Sequence, residues 1–209
     1  MYSPNMLKTF QTCPKKYFYK YVEGISVPQK ASFFEKGKKI HALANYYLRG
    51  DNIEKLEKVL NADEQRVWES LKTNEFFQKK YVNSEYNLSC RVGEYWVGGR
   101  LDAVVKDENS GEYFILDYKT GSIPKNPEYD FQTMVYLLCL SKKTGAKVSF
   151  VYIDLKNNQN CVIPFDAEKS NEYEKRIVDI CDKIARLLGE PEIERFKSCD
   201  FCEYGKICM

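Results

Sequence analysis

The sequence predicts an α/β fold: a mixed central sheet flanked by helices, with an N-terminal helical region and a C-terminal cysteine tail. Three features predict it. Apolar residues recur at helical spacing through the first part of the chain. From residue 82 the pattern changes to short runs rich in Val, Ile, Tyr and Phe, bounded by Gly and Asn. A helical period then separates the third run from the fourth, which makes those two strands parallel.

Ser3-Pro4 reads as an N-cap followed by Pro at the first helical position. The stretch "TCPKKYFYKYV" repeats that signal at Pro14, with Tyr17, Phe18 and Tyr21 at helical spacing. A third helix is expected from about Ala31 to Leu48. Residues 52–80 read as one or two more, with Val67, Leu71 and the Phe76-Phe77 pair on an inner face. Strands at 82–90, 95–106 and 112–118 form a meander, a helix over about 128–142 crosses over, and a strand at 147–155 follows. "NNQNC" turns a hairpin into a short strand at 161–165. Asp166 caps a long last helix carrying Tyr173, Ile177, Ile180, Ile184 and Leu187, ended by Gly189 and Pro191. The final residues have neither period and must be pinned by something other than a core. The chain therefore reads as one domain over 1–209: a helical part at 1–80, a core at 81–189 and a tail at 190–209.

A chain of 209 residues supports one good core rather than two large domains. It is 44% apolar and 30% charged, with a formal net charge of +2, so composition alone marks no nucleic-acid binder. The charge is uneven, however. Residues 1–50 hold eight Lys and one Arg against Glu23 and Glu35, a net of +7, which suits either a phosphate backbone or a solvated helical face. "MYSPNMLKTF" lacks the basic-then-apolar pattern of a signal peptide, and no apolar run approaches the ~20 residues that span a bilayer. A cytoplasmic protein without membrane contact is expected, and there eight cysteines are not a disulfide framework.

In "FILDYKTG" (114–121), Asp117 and Lys119 lie two apart in an apolar strand and so share a face. Burying them costs several kcal/mol unless a partner satisfies them. The partner is either each other or a metal ion and a phosphate. Asp102, in "VGGRLDAVV", falls at the end of the neighbouring strand, where two carboxylates can converge on one hard divalent cation. A lysine beside them then supplies charge at a phosphate, as phosphodiester hydrolysis requires.

"GRLD", an apolar strand ending in "DYK" and "QTMVY" in the next helix together resemble the PD-(D/E)XK nuclease superfamily, nearest to its RecB-like branch with CRISPR-associated, iron–sulfur exonucleases. The resemblance implies a restriction-endonuclease-like core. It implies that Asp102, Asp117 and the carbonyl of Tyr118 ligate Mg²⁺ or Mn²⁺, with Lys119 orienting water. It turns Gln132 and Tyr136, one helical turn apart, towards the site, where they handle DNA rather than ligate metal. His41, the single histidine, matches a metal-ligating histidine of that branch. Glu85 falls loosely where many relatives carry an auxiliary acid; a solvated strand residue is the other reading. Asp117 stands where Glu is commoner.

"CDFCEYGKIC" sets Cys199, Cys202 and Cys208 at a spacing that suits a metal in a tail without its own core. Cys90, Cys139, Cys161 and Cys181 fall in strands or helices, as small apolar residues do. Cys13 sits instead at a helix start. The resemblance makes Cys13, Cys199, Cys202 and Cys208 ligands of a 4Fe–4S cluster that closes the tail onto Cys13, although spacing alone serves zinc equally. It also implies single-stranded DNA ends or overhangs as substrate, in CRISPR adaptation or in recombination and repair. CRISPR integration proteins or a helicase would be partners, because no P-loop motif is present. The alternatives are a non-catalytic iron–sulfur DNA clamp of nuclease-like fold, or a redox protein that would leave the carboxylates unexplained.

Overall fold

The computed structural model describes residues 1–27, 35–194 and 197–208. Helices α1 (Pro4–Thr12) and α2 (Pro14–Tyr17) open the chain, and a π-helical turn, Phe18–Val22, continues α2. Then come α3 (Glu35–Leu48), the short α4 (Glu54–Glu57) and α5 (Ala62–Lys72). Strands β1 (Lys80–Val92), β2 (Tyr95–Lys106) and β3 (Tyr113–Lys119) lead through α6 (Phe131–Thr144) to β4 (Val148–Asp154), β5 (Gln159–Pro164) and α7 (Ala167–Ala185). The Ala31–Phe34 part of the expected third helix lies outside the described residues.

One five-stranded sheet runs in the order β1-β2-β3-β4-β5. Only β3 and β4 are parallel, as the crossover through α6 requires; the other three pairings are antiparallel. Gly93, at φ +56, makes the tight turn between β1 and β2. One face of the sheet packs on α6, backed by α1 and α7; α3 and α5 cover the other. Because α6 is sandwiched, its residues from Phe131 to Leu140 are buried on nearly every side, with Gln132 partly open. Asp130 caps it by accepting from Gln132 N, and Gly145 at φ +62 ends it. Among the described residues no helix is long and apolar enough to cross a membrane.

Several expectations shift. The last hairpin turns through Leu155–Asn158, with Asn158 at φ +52, so Gln159 and Asn160 belong to β5. Helix α7 stops at Ala185, short of Gly189: Leu187 still packs on the core but Leu188 is fully exposed, so a further turn would bury nothing. Asp102 lies inside β2 rather than at its end. The tail is tied to the N-terminal region by Tyr204 and Glu203. Tyr204 is buried, donates through its hydroxyl to the Ile25 carbonyl at 2.9 Å and packs against the Tyr19 ring. Lys16 pairs with Glu203 at 2.9 Å.

Two glycines in "VGGRLD" are packing requirements. A Cβ at Gly98 would stand 2.3 Å from the Leu88 carbonyl oxygen, and one at Gly99 would stand 2.8 Å from the Tyr136 hydroxyl. Tyr2 uses the open edge beside them: its N–H donates to Trp96 O and its carbonyl accepts from Gly98 N.

Candidate active site

Strand alternation distributes the "DYK" side chains. Tyr118 buries its ring in the α3-side cluster, edge-on to His41 and Phe77. Asp117 and Lys119 therefore project to the α6 side, where Tyr152 of β4 lies beside them. Ala103 pairs with Leu116, so Asp102 and Asp117 face each other at the next step, where the β2–β3 ladder ends. Two carboxylates thus converge where the strands separate.

Asp117 is 3% exposed. Its Oδ1 accepts from the Gln132 side-chain amide, and its Oδ2 lies 2.7 Å from Lys119 Nζ, an ion pair without hydrogen-bond alignment. Burial, then the nearby Asp102 charge, pushes the Asp117 carboxyl above its usual range, against Lys119 and His41. The Lys119 ammonium also sits 5.5 Å from the centre of the Tyr152 ring.

His41 comes from α3 across the sheet end. Its Nδ1 lies 3.1 Å from Asp102 Oδ1 and its Nε2 3.0 Å from the Tyr118 carbonyl. Both partners are acceptors, an arrangement that favours a ring donating from both nitrogens, as a protonated histidine does. Burial lowers its pKa, but the Asp102 hydrogen bond and charge, the Tyr118 carbonyl and Asp117 together raise it above 6.5. The other Asp102 oxygen accepts from Tyr118 N at 3.3 Å.

Gln132 and Tyr136 divide their work. Gln132 touches Asp117, whereas the Tyr136 hydroxyl donates to the Arg100 carbonyl at 2.9 Å and reaches neither carboxylate. Glu85 pairs with Arg100. That pair, the N-terminal bridge through Tyr2 and the glycine requirement went unread in the sequence, although "VGGRLD" carried the signal for two of them.

Carboxylate oxygens, a main-chain carbonyl and an imidazole form a donor set suited to a hard divalent ion, and a buried carboxylate such as Asp117 fits that use. As they stand, no group of three or more His, Cys, Asp or Glu side chains among the described residues is gathered tightly enough to hold a metal ion. Here His41 hydrogen-bonds two of the donors directly.

Across the molecule, Cys13, Cys199, Cys202 and Cys208 line one cavity of about 520 Å³ with Lys16, Tyr19 and Tyr204. Cys13 Sγ also accepts from Lys16 N at 3.3 Å, capping α2. A Cβ at Gly205 would crowd the Cys202 and Cys199 carbonyls, so the tail turns tightly round this cavity. Cys90, Cys139 and Cys181 are buried in the core, and Cys161 is partly buried in β5.

Comparison with known proteins now bears on this geometry. A comparison with curated proteins gives no match. The crystal structure of a candidate exonuclease from Eubacterium rectale matches with a TM-score of 0.63 at 14% identity, over 97% of this chain and 86% of that one, a likeness of fold. The structure of SSO0001 is 21% identical over 97% of this chain and 93% of that one, at a TM-score of 0.40. The model of the PD-(D/E)XK nuclease superfamily matches residues 1–209. With its mixed sheet and opposed carboxylates beside a lysine, this chain belongs to the PD-(D/E)XK nuclease superfamily.

Proposed function

We propose that the protein is a divalent-metal-dependent deoxyribonuclease acting as an exonuclease on single-stranded DNA ends or overhangs. The observation that carries this reading is the opposition of Asp102 and Asp117 at the end of the β2–β3 ladder, with Lys119 against the buried acid. A buried acid held against a second, half-buried one is costly and has little structural use.

In this reading Asp102, Asp117, the Tyr118 carbonyl and His41 would hold Mg²⁺ or Mn²⁺, as nucleases of the superfamily generally use. When bound, the ion supplies Lewis acidity at the phosphate and lowers the pKa of a water. The Lys119 ammonium, two residues from a ligand, aligns the attacking water and neutralises charge growing on the phosphoryl oxygens. Gln132 fixes the Asp117 carboxylate, and Tyr136 fixes β2 through the Arg100 carbonyl. To ligate, His41 would have to present an unprotonated ring nitrogen.

In the same reading Cys13, Cys199, Cys202 and Cys208, which line one cavity, would hold a 4Fe–4S cluster joining the tail to the N-terminal helices. Its role is structural. CRISPR adaptation and recombination or repair are the two settings that suit such an enzyme, in the cytoplasm, with integration proteins or a helicase as partners. The test uses anaerobically purified protein with Mn²⁺ or Mg²⁺ and single-stranded, blunt and overhang DNA labelled at either end. Stepwise shortening from a single-stranded end is expected. Binding without cleavage under every metal condition would instead select the non-catalytic clamp.

A further inference from the structure

Strand β1 is irregular beside the carboxylates. Glu85, within β1, has φ +49, a left-handed backbone that a non-glycine residue seldom adopts. Ser84 pairs with Ala103 and Tyr86 with Leu101, so Glu85 stands opposite Asp102. Strand β2 turns over at the same point. Leu101 packs into the α6-side cluster, while Ala103, two residues on, packs into the α3-side cluster.

The side chain of Glu85 is thereby aimed along β2 at Arg100, its Oε2 2.8 Å from the guanidinium Nε. Arg100 is held at its main chain too, where its carbonyl accepts from Tyr136. Yet its side chain is 66% exposed. An exposed ion pair contributes little stability, so it does not by itself account for a left-handed residue inside a strand. Glu85 contacts one nitrogen of the guanidinium, and a guanidinium carries five N–H donors in a fork that matches phosphate.

We propose that Arg100 contacts a backbone phosphate of the nucleic-acid strand entering the site, and that Glu85 is the anion holding its guanidinium until phosphate displaces it. This rests on the nuclease reading. Arg100 lies two residues before Asp102, so a phosphate on its fork belongs to a nucleotide next to the one cleaved. Glu85 thus preorganises the arginine and competes with the phosphate.

The test is binding of a fluorescent oligothymidylate in metal-free buffer over a potassium chloride series. Arg100→Gln should weaken binding roughly ten-fold and lower the slope of log Kd against log salt by about one. Arg100→Lys should restore the slope, and Glu85→Gln should bind several-fold tighter than wild type. Folded Arg100→Gln with wild-type affinity and slope overturns the proposal. Should that variant fail to fold, Glu85→Gln decides instead: unchanged or weaker binding overturns it. Wild-type protein that neither binds nor cleaves DNA overturns the nuclease reading and this proposal with it. Wild type that cleaves normally while the variants bind like it overturns this proposal alone.

Discussion

The side-chain amide of Gln132 donates to Oδ1 of Asp117, joining the first turn of α6 to the end of β3. This contact changes what Gln132 is expected to do. The family resemblance implies a DNA-handling group at Gln132, while its contact with Asp117 points to a part in holding the buried acid. Gln132→Ala should therefore raise the Mn²⁺ concentration for half-maximal cleavage several-fold. Tyr136→Phe should leave that concentration alone and cost about 0.5–1.5 kcal/mol of stability through the lost bond to Arg100. Metal titrations of cleavage and thermal melts separate the two. Equal metal dependence in both variants contradicts this division.

Metal binding should strengthen as pH rises. His41 is held protonated above its usual 6.5 and Asp117 is pushed up by burial, so each must lose its proton to ligate. The sign for stability follows. A raised histidine pKa stabilises the metal-free fold fully below pH 6.5, and that contribution is lost as pH climbs through the folded-state value. Asp117 acts in the same direction at lower pH: its burial penalty is absent below 3.8 and grows until its raised pKa is passed. The metal-free Tm should fall above pH 6.5, while the Tm gain from added Mn²⁺ grows. Calorimetry should register proton release. A Mn²⁺ affinity independent of pH from 6 to 8 would sink the assignment of His41.

Protein made with adequate iron should be brown, with broad visible absorbance that bleaches on reduction or prolonged exposure to air. Cys13→Ala should lose the colour and loosen the tail, while Cys139→Ala and Cys181→Ala, which are core residues, should keep it. A colourless protein carrying one tightly bound zinc contradicts the cluster.

Gly98→Ala should destabilise the fold by about 1–3 kcal/mol or more, because its new Cβ meets the backbone of Leu88 at 2.3 Å. Gly189→Ala, with nothing within 4 Å, should be near neutral. Chemical denaturation compares them directly.

Much of the architecture was legible because it rests on local periodicity. Pro4 and Pro14 start helices, runs rich in Val, Ile, Tyr and Phe mark β1 to β3, and Asp166 caps α7. The spacing of Asp117 and Lys119 showed a shared face. What was not legible depends on distant groups. Trp68 is fully buried against Tyr47 and Phe77, with its indole N–H on Glu57, but sits in a segment with few periodic cues. Tyr204 reads as a loop residue until Tyr19 and Ile25 come beside it. Glu85 at positive φ breaks the alternation that a strand reading assumes, so its tie to Arg100 was hidden.

The central claim is that Lys119 serves chemistry rather than merely neutralising Asp117. If it only satisfies the buried acid, Lys119→Ala should chiefly lower stability and leave residual function in proportion to folded protein. If it acts at the phosphate, the folded variant should bind Mn²⁺ and DNA yet cleave about 10²–10³-fold more slowly, by analogy with loss of a preorganised charge at a transition state. The decisive measurement is cleavage of single-stranded DNA by well-folded Lys119→Ala in Mn²⁺. A nearly inactive enzyme with intact binding is the expected result. Cleavage within a few-fold of wild type would contradict the account.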